Sequence, residues 1–171
     1  MSLRKPSAER VRALLDYDRD TGIFRWKDTK AQRIKNGEIA GCAVRCARRN
    51  VVYWKINVDG MPRSAHVLAW LYCYGEYVAE IDHRDGDGLN NKIENLRPCT
   101  ATQNRANTGR LITNKSGFKG VSWHNGARKW RATINKDRQQ YHLGFFENPE
   151  EAYAAYVKSA KEMFGEFARF S

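Results

Sequence analysis

The sequence predicts an α+β protein. Period-2 apolar patterns bounded by turn residues recur at both ends of the chain, as in Val51–Val58 followed by Asp59-Gly60. Between them lies an apolar stretch, Ser64 to about Tyr74, with helical spacing. After three strand-like runs, Asn148-Pro149-Glu150-Glu151 reads as a helix start.

Taken in order, residues 7–17 predict a short helix with Ser7 as N-cap and Val11, Leu14 and Leu15 as its apolar stripe. Asp18 to Gly22 is a turn, Ile23–Lys27 alternates like a strand, and Gly37 to Gly41 is a second turn region. Residues 1–62 thus form a basic, β-rich unit. In the next segment Ser64 can cap the helix, Val67, Leu68, Leu71 and Tyr74 share a face, and Gly75 stops it. A strand end at Ile81, a tight loop at Gly86-Asp87-Gly88 and a returning strand from Ile93 to Leu96 follow. Pro98 breaks that strand, and Thr100 can cap a helix holding Gln103, Asn104 and Asn107. Residues 63–109 are read as one unit, with a polar linker at 108–116 after it.

In residues 110–171 the strands are Phe118–Trp123, Lys129–Asn135 and Gln140–Phe145, and the helix runs to about Phe164. Trp130, Ala132 and Ile134 point one way; Lys129, Arg131, Thr133 and Asn135 point the other. Ala152, Ala155, Tyr156, Ser159 and Met163 form the stripe that lies on the sheet.

Charge divides the chain the same way. The net charge of +11 favours a polyanion partner, most simply nucleic acid. Residues 1–60 carry net +7, residues 61–109 net −1, and residues 110–146 net +7. A near-neutral centre between two basic arms is where a divalent cation can be gained. At 42% hydrophobic residues with five Trp, the chain can build real cores, so disorder is excluded. No apolar run is long enough to span a membrane, and MSLRKPSAER lacks the apolar core of a signal peptide, so a cytoplasmic protein is expected. Cys42, Cys46, Cys73 and Cys99 form no paired C-x-x-C knuckles, which favours free thiols over a zinc site.

The chemistry concentrates in DHRDGDGLNNKIENLRPCTATQNRAN. Asp82 precedes His83 directly, Asn95 follows twelve residues after the histidine, and Asn104 nine residues later. A carboxylate beside an imidazole, with a second oxygen ligand nearby, is what one-metal phosphodiester hydrolysis needs. Alone, an Asp-His pair more often marks a surface loop, and Asn residues more often cap or turn. The Asp85-Gly86-Asp87-Gly88 loop fails the EF-hand pattern, because Leu89 stands where the third ligand belongs. His66 is a candidate second functional histidine, although a histidine at a helix start is more often structural or phosphate-contacting; His124 and His142 read as DNA contacts or neutral surface groups.

Asp82-His83, the Gly-Asp-Gly loop, Asn90-Asn91, Ile93 to Arg97 and Gln103 to Asn107 resemble the HNH endonuclease family, in its phage and intron homing subgroup. The resemblance implies a ββα-metal core and a phage-encoded enzyme acting in a bacterial host cell. It makes Asp82 and Asn104 the ligands of one Mg2+ or Mn2+ ion, His83 the general base and Asn95 the residue that fixes His83. Residues 115–171 resemble the Apetala-two/ethylene-response-factor domain, on Ser116 to Trp123, Lys129 to Ala132, His142 to Phe146 and Glu150 to Tyr156. That family lays its three-stranded sheet in the major groove. By its pattern Lys119, Ser122, Trp123, Arg131, Thr133 and His142 face double-stranded DNA, with Lys129, Arg138 and Arg105 as further basic contacts. The expectation is a strand-nicking monomer; a DNA-binding regulator with a vestigial nuclease core is the alternative.

Overall fold

Ser7 starts the first helix as expected: its hydroxyl accepts from the Arg10 amide at 3.2 Å. The computed structural model describes residues 5–28, 34–46, 51–109 and 113–170. The first four residues of the signal-peptide reading and residues 110–112 of the expected linker lie outside them. The chain is a mixture of helix and sheet, divided into units Met1–Pro98 and Cys99–Ser171.

In the first unit, α1 (Ala8–Leu14) ends earlier than predicted. Leu15–Tyr17 is instead strand β1, antiparallel to β2 (Phe24–Trp26). Leu15 and Tyr17 are buried while Asp16 stays exposed, so burial there follows period 2 and overrides the helical reading. β3 (Cys42–Cys46), β4 (Val51–Val58) and β5 (Met61–Ser64) form a sheet in that order. Asp59 and Gly60 turn β4 into β5 with φ of 52° and 79°, the left-handed pair that a tight hairpin requires. β3 and β5 were not predicted: β3 is almost wholly exposed and β5 contains Pro62, so neither shows the apolar alternation.

α2 (Ala65–Tyr74) closes on Gly75 in the left-handed conformation. Ser64 occupies the N-cap position but makes no side-chain cap bond, and Tyr74, expected on the buried face, is 51% exposed. Val11, Leu15, Phe24, Ile56, Leu68 and Leu71 belong to one core, so the N-terminal strands and α2 fold as one body. β6 (Glu80–His83) pairs with β7 (Leu96–Cys99). Ile93–Asn95 is a 3-10 turn rather than the start of the returning strand, and Pro98 sits within β7 instead of ending it. A two-stranded sheet has only edge strands, which tolerate the missing amide.

In the second unit, α3 (Ala101–Ala106) opens on a full capping box between Thr100 and Gln103. β8 (Val121–His124), β9 (Lys129–Lys136) and β10 (Gln139–Phe146) form an antiparallel sheet with β9 in the centre. α4 (Pro149–Phe164) starts where Asn148 caps the Glu151 amide at 2.9 Å. Its buried positions are Ala152, Tyr156, Ala160 and Phe164, a strict i, i+4 row beside the predicted stripe. Ala106 joins Ile134, Tyr156, Ala160 and Phe164 in one core, so α3 is built into this unit.

Candidate active site

β6 delivers Asp82 and His83 side by side, and both are buried, at 5% and 6% exposure. Arg97, on β7, donates from Nε to Asp82 Oδ2 at 3.0 Å. Its Nη2 stands 2.9 Å from the same oxygen, at an angle that adds charge rather than a second hydrogen bond. His83 Nε2 lies 3.3 Å from Asn91 Oδ1. The Asn91 amide is oriented by its own Nδ2, which donates to the Leu89 carbonyl at 3.0 Å. With an oxygen as partner, Nε2 is the nitrogen placed to donate. Burial holds the His83 pKa below the ordinary histidine value; the Asn91 bond and the carboxylates of Asp85, Asp82 and Asp87 pull the other way.

Asn95 stitches the intervening loop together. Its Nδ2 donates to Asp85 Oδ1 at 3.0 Å and to the Asn90 carbonyl at 2.8 Å, and its Oδ1 accepts from the Asp85 amide at 3.2 Å. Asn90 Nδ2 adds a 2.6 Å bond to Asp85 Oδ2. Burial opposes the Asp85 charge, but donors from the Asp87 backbone, Asn90 and Asn95 outweigh it and hold the carboxyl below its usual range. Asn91 is the side chain that meets His83, a role the sequence reading did not assign. Residues from the N-terminal strands brace it. The Tyr17 hydroxyl donates to the Asn91 carbonyl at 2.7 Å, the Ile93 amide donates to the Arg19 carbonyl at 3.3 Å, and Gly22 lies flat against the Asn91–Lys92 peptide.

A second histidine completes the neighbourhood. The His66 ring stands edge-on to His83, with centroids 4.9 Å apart, and Tyr53 lies 5.8 Å from His66 and 6.3 Å from His83. Asn104 sits on α3 in the other unit, half-buried, with exposed Arg105 beside it. No cluster of three or more His, Cys, Asp or Glu side chains able to hold a metal occurs among the described residues. Cys42, Cys46, Cys73 and Cys99 form no disulfide among the described residues.

On the C-terminal sheet, strand register decides which side chains share a face. Ser122 pairs with Arg131, His142 with Thr133 and His124 with Lys129, all on the face away from α4. Arg131 Nη2 reaches Ser122 Oγ at 3.4 Å. Trp123 pairs with Trp130, two residues from Ala132, and so lies on the α4 side rather than among the predicted DNA contacts. Lys119 also departs from its expected place. Its ammonium donates to the Ala106 carbonyl at 2.6 Å and the Arg169 carbonyl at 3.2 Å, and burial pushes its pKa down to about 8. Lys129 pairs with Glu147 at 2.8 Å, and Arg138 sits exposed in the β9–β10 turn with φ of 67°. A bulge after His142 reverses the alternation and brings Phe145 opposite Arg131, onto the polar face. There it is 43% exposed, 5.1 Å from the His124 ring and 4.6 Å from His142. Simple alternation hid it.

Protein 3.8 of Escherichia phage T7 is 35% identical to this chain over 125 residues, which cover 72% of the chain and 89% of the T7 protein. The chain belongs to the protein 3.8 family. Residues 63–106 of this family member match the HNH endonuclease family and make up its HNH endonuclease domain. An uncharacterized HNH endonuclease of Acanthamoeba polyphaga mimivirus is 34% identical over 88 residues, covering 52% of the chain and 44% of that protein. No solved structure matches. The HNH segment runs from β5 to the end of α3 and holds His66, Asp82, His83, Asn91, Asn95 and Asn104. Among the described residues of this protein 3.8 relative, no helix is long and apolar enough to cross a membrane.

Proposed function

We propose that this protein is a metal-dependent DNA endonuclease of homing type that nicks one strand of a duplex inside a phage-infected bacterial cell. The observation that carries the reading is the buried His83 ring, oriented by Asn91 within the segment that matches HNH endonucleases. His83 takes the proton of the attacking water at Nδ1. Asn95 acts one step back, by fixing the loop on which Asn91 rides.

Asp82 and Asn104 are the proposed ligands of one Mg2+ or Mn2+ ion. Their donors are hard oxygens, which suit such a cation, and the contacts with Arg97 fall on Oδ2 of Asp82. The cation would offset charge on the scissile phosphate and the departing 3′ oxygen. β6, β7 and α3 supply the strand–strand–helix order of a ββα-metal core. The polar sheet face of Ser122, Lys129, Arg131, Thr133 and His142, with Arg138 and Arg105, supports a grip on double-stranded DNA like that of the Apetala-two/ethylene-response-factor domain.

The test is a supercoiled plasmid incubated with the full chain and Mg2+ or Mn2+. His83→Ala should abolish nicking and leave DNA binding intact. Undiminished nicking by that variant rejects the assignment. Failure of the unaltered protein to nick in either metal favours a non-catalytic DNA-binding regulator.

A further inference from the structure

His66 is the second residue of α2, and its ring meets His83 edge-on, with planes at 82° and centroids 4.9 Å apart. Its Nδ1 is buried and meets no hydrogen-bond partner among the described residues. Nε2 is not sealed off in this way. A ring serving only to pack against His83 and Tyr53 would need no nitrogen, and a buried nitrogen stripped of water and left unpaired opposes folding.

We propose that His66 is a second working histidine of the nuclease site, an uncharged donor whose Nε2–H binds a non-bridging oxygen of the phosphodiester undergoing cleavage. The proposal rests on the reading of His83 as general base. Reach supports it. A water held about 2.6–3.2 Å from the base, with phosphorus about 3–3.5 Å beyond it, puts the phosphate roughly 5–7 Å from the His83 nitrogen. The centre of the His66 ring, 4.9 Å from that of His83, lies within that span.

The two histidines have distinct roles because their surroundings set them apart. Burial above all, with His83 and Lys55 nearby, brings the His66 pKa down to about 3. At neutral pH His66 therefore takes no proton from water and carries a single N–H. Placing that hydrogen on Nδ1 would bury an unpaired donor, whereas placing it on Nε2 leaves only a bare lone pair inside. The favoured tautomer presents its N–H to the substrate, so His66 offers a hydrogen bond to developing negative charge without competing for the proton that His83 removes.

The experiment compares the full-length wild type with His66→Phe, His66→Gln and His83→Ala on supercoiled plasmid with Mg2+. His66→Phe should lower the nicking rate about 100-fold while DNA affinity and the midpoint of the pH–rate profile stay in place. His66→Gln, whose amide restores a donor, should recover part of that loss. A full rate in His66→Phe overturns the proposal, and so does a loss accompanied by a shifted midpoint, which would place the effect on His83. If His83→Ala is inactive and His66→Phe is not, only the role of His66 falls; if His83→Ala nicks at full rate, the general-base reading falls.

If His66→Phe does not fold, histidine 15N resonances of the wild type decide, measured with a short DNA duplex and EDTA. The expected result is the Nε2–H tautomer, with an Nε2 resonance that moves when duplex is added. An Nδ1–H tautomer, or an Nε2 resonance that ignores the duplex, overturns the proposal.

Discussion

Arg97 reaches a single oxygen of Asp82 with two nitrogens, Nε at 3.0 Å and Nη2 at 2.9 Å, in a pair whose side chains are 5% and 6% exposed. Removing either partner would strand the other charge in the interior. Arg97→Met should therefore cost about 3–5 kcal/mol of stability, read as a fall in the urea midpoint. A loss comparable with that of an exposed pair, such as Arg10–Asp59, would show that water relieves the site.

Gly22 has φ of +73°, and a Cβ there would come within 2.5 Å of the Asn91 and Lys92 backbone. Gly75 has φ of +78°, and a Cβ there would meet nothing within 4 Å among the described residues. Gly75→Ala should lose about 1–2 kcal/mol from backbone strain alone. Gly22→Ala should lose more and slow nicking as well, since the displaced peptide belongs to the residue that orients His83. Equal losses in the two variants would mean that the loop moves aside freely.

His66 and His83 both have folded pKa values below the ordinary value of 6.5. As pH falls through 6.5 the unfolded chain takes up protons that the folded chain does not, so stability is full above that pH and declines below it. Lys55 and Tyr53 beside His66, and Asp82, Asp85 and Asp87 around His83, are the other groups facing these rings. Urea unfolding between pH 8 and pH 5 should show the decline in the wild type and a shallower one in His66→Phe.

Activity should follow the same residue from the other side. A general base must be unprotonated, so nicking should hold a plateau at neutral pH and fall only where His83 protonates, below the ordinary histidine midpoint. A midpoint above 6.5 would mean that the nearby carboxylates dominate over burial.

Register predicts opposite outcomes for two exposed aromatics of the C-terminal sheet. Phe145→Ala should weaken DNA binding, because its ring stands among His124, His142 and Arg131 on the polar face. Trp123→Ala should leave binding intact and lower the melting temperature, because it packs on Trp130. Arg131→Ala should reduce the salt slope of binding by about 1, and Lys119→Met should leave that slope unchanged. Filter binding across a salt series checks all four.

Turn and cap chemistry was the most legible layer of the sequence. Asp59-Gly60, Thr100 with Gln103, and Asn148-Pro149 each act locally and appear where their side chains require. Long-range pairing was not legible: β1 hid inside a helical pattern, and β3 and β5 lacked alternation because they are exposed or carry proline. In the candidate site, Asp82, His83 and Asn95 stood out by spacing. The contacts of Asn91, Tyr17 and Gly22 depend on residues more than sixty positions apart, which spacing cannot show. Lys119 and Trp123 were placed on the DNA face by the family pattern alone; the two backbone carbonyls that hold the Lys119 ammonium and the pairing of Trp123 with Trp130 are long-range contacts that such a pattern does not carry.

The Tyr17 hydroxyl on the Asn91 carbonyl also bears on inheritance. A gene exchange that moved only residues 63–106 would carry the HNH signature intact and leave behind the strut that steadies its histidine. A transfer that kept the histidine braced would have to bring the strand of Tyr17 along with the signature.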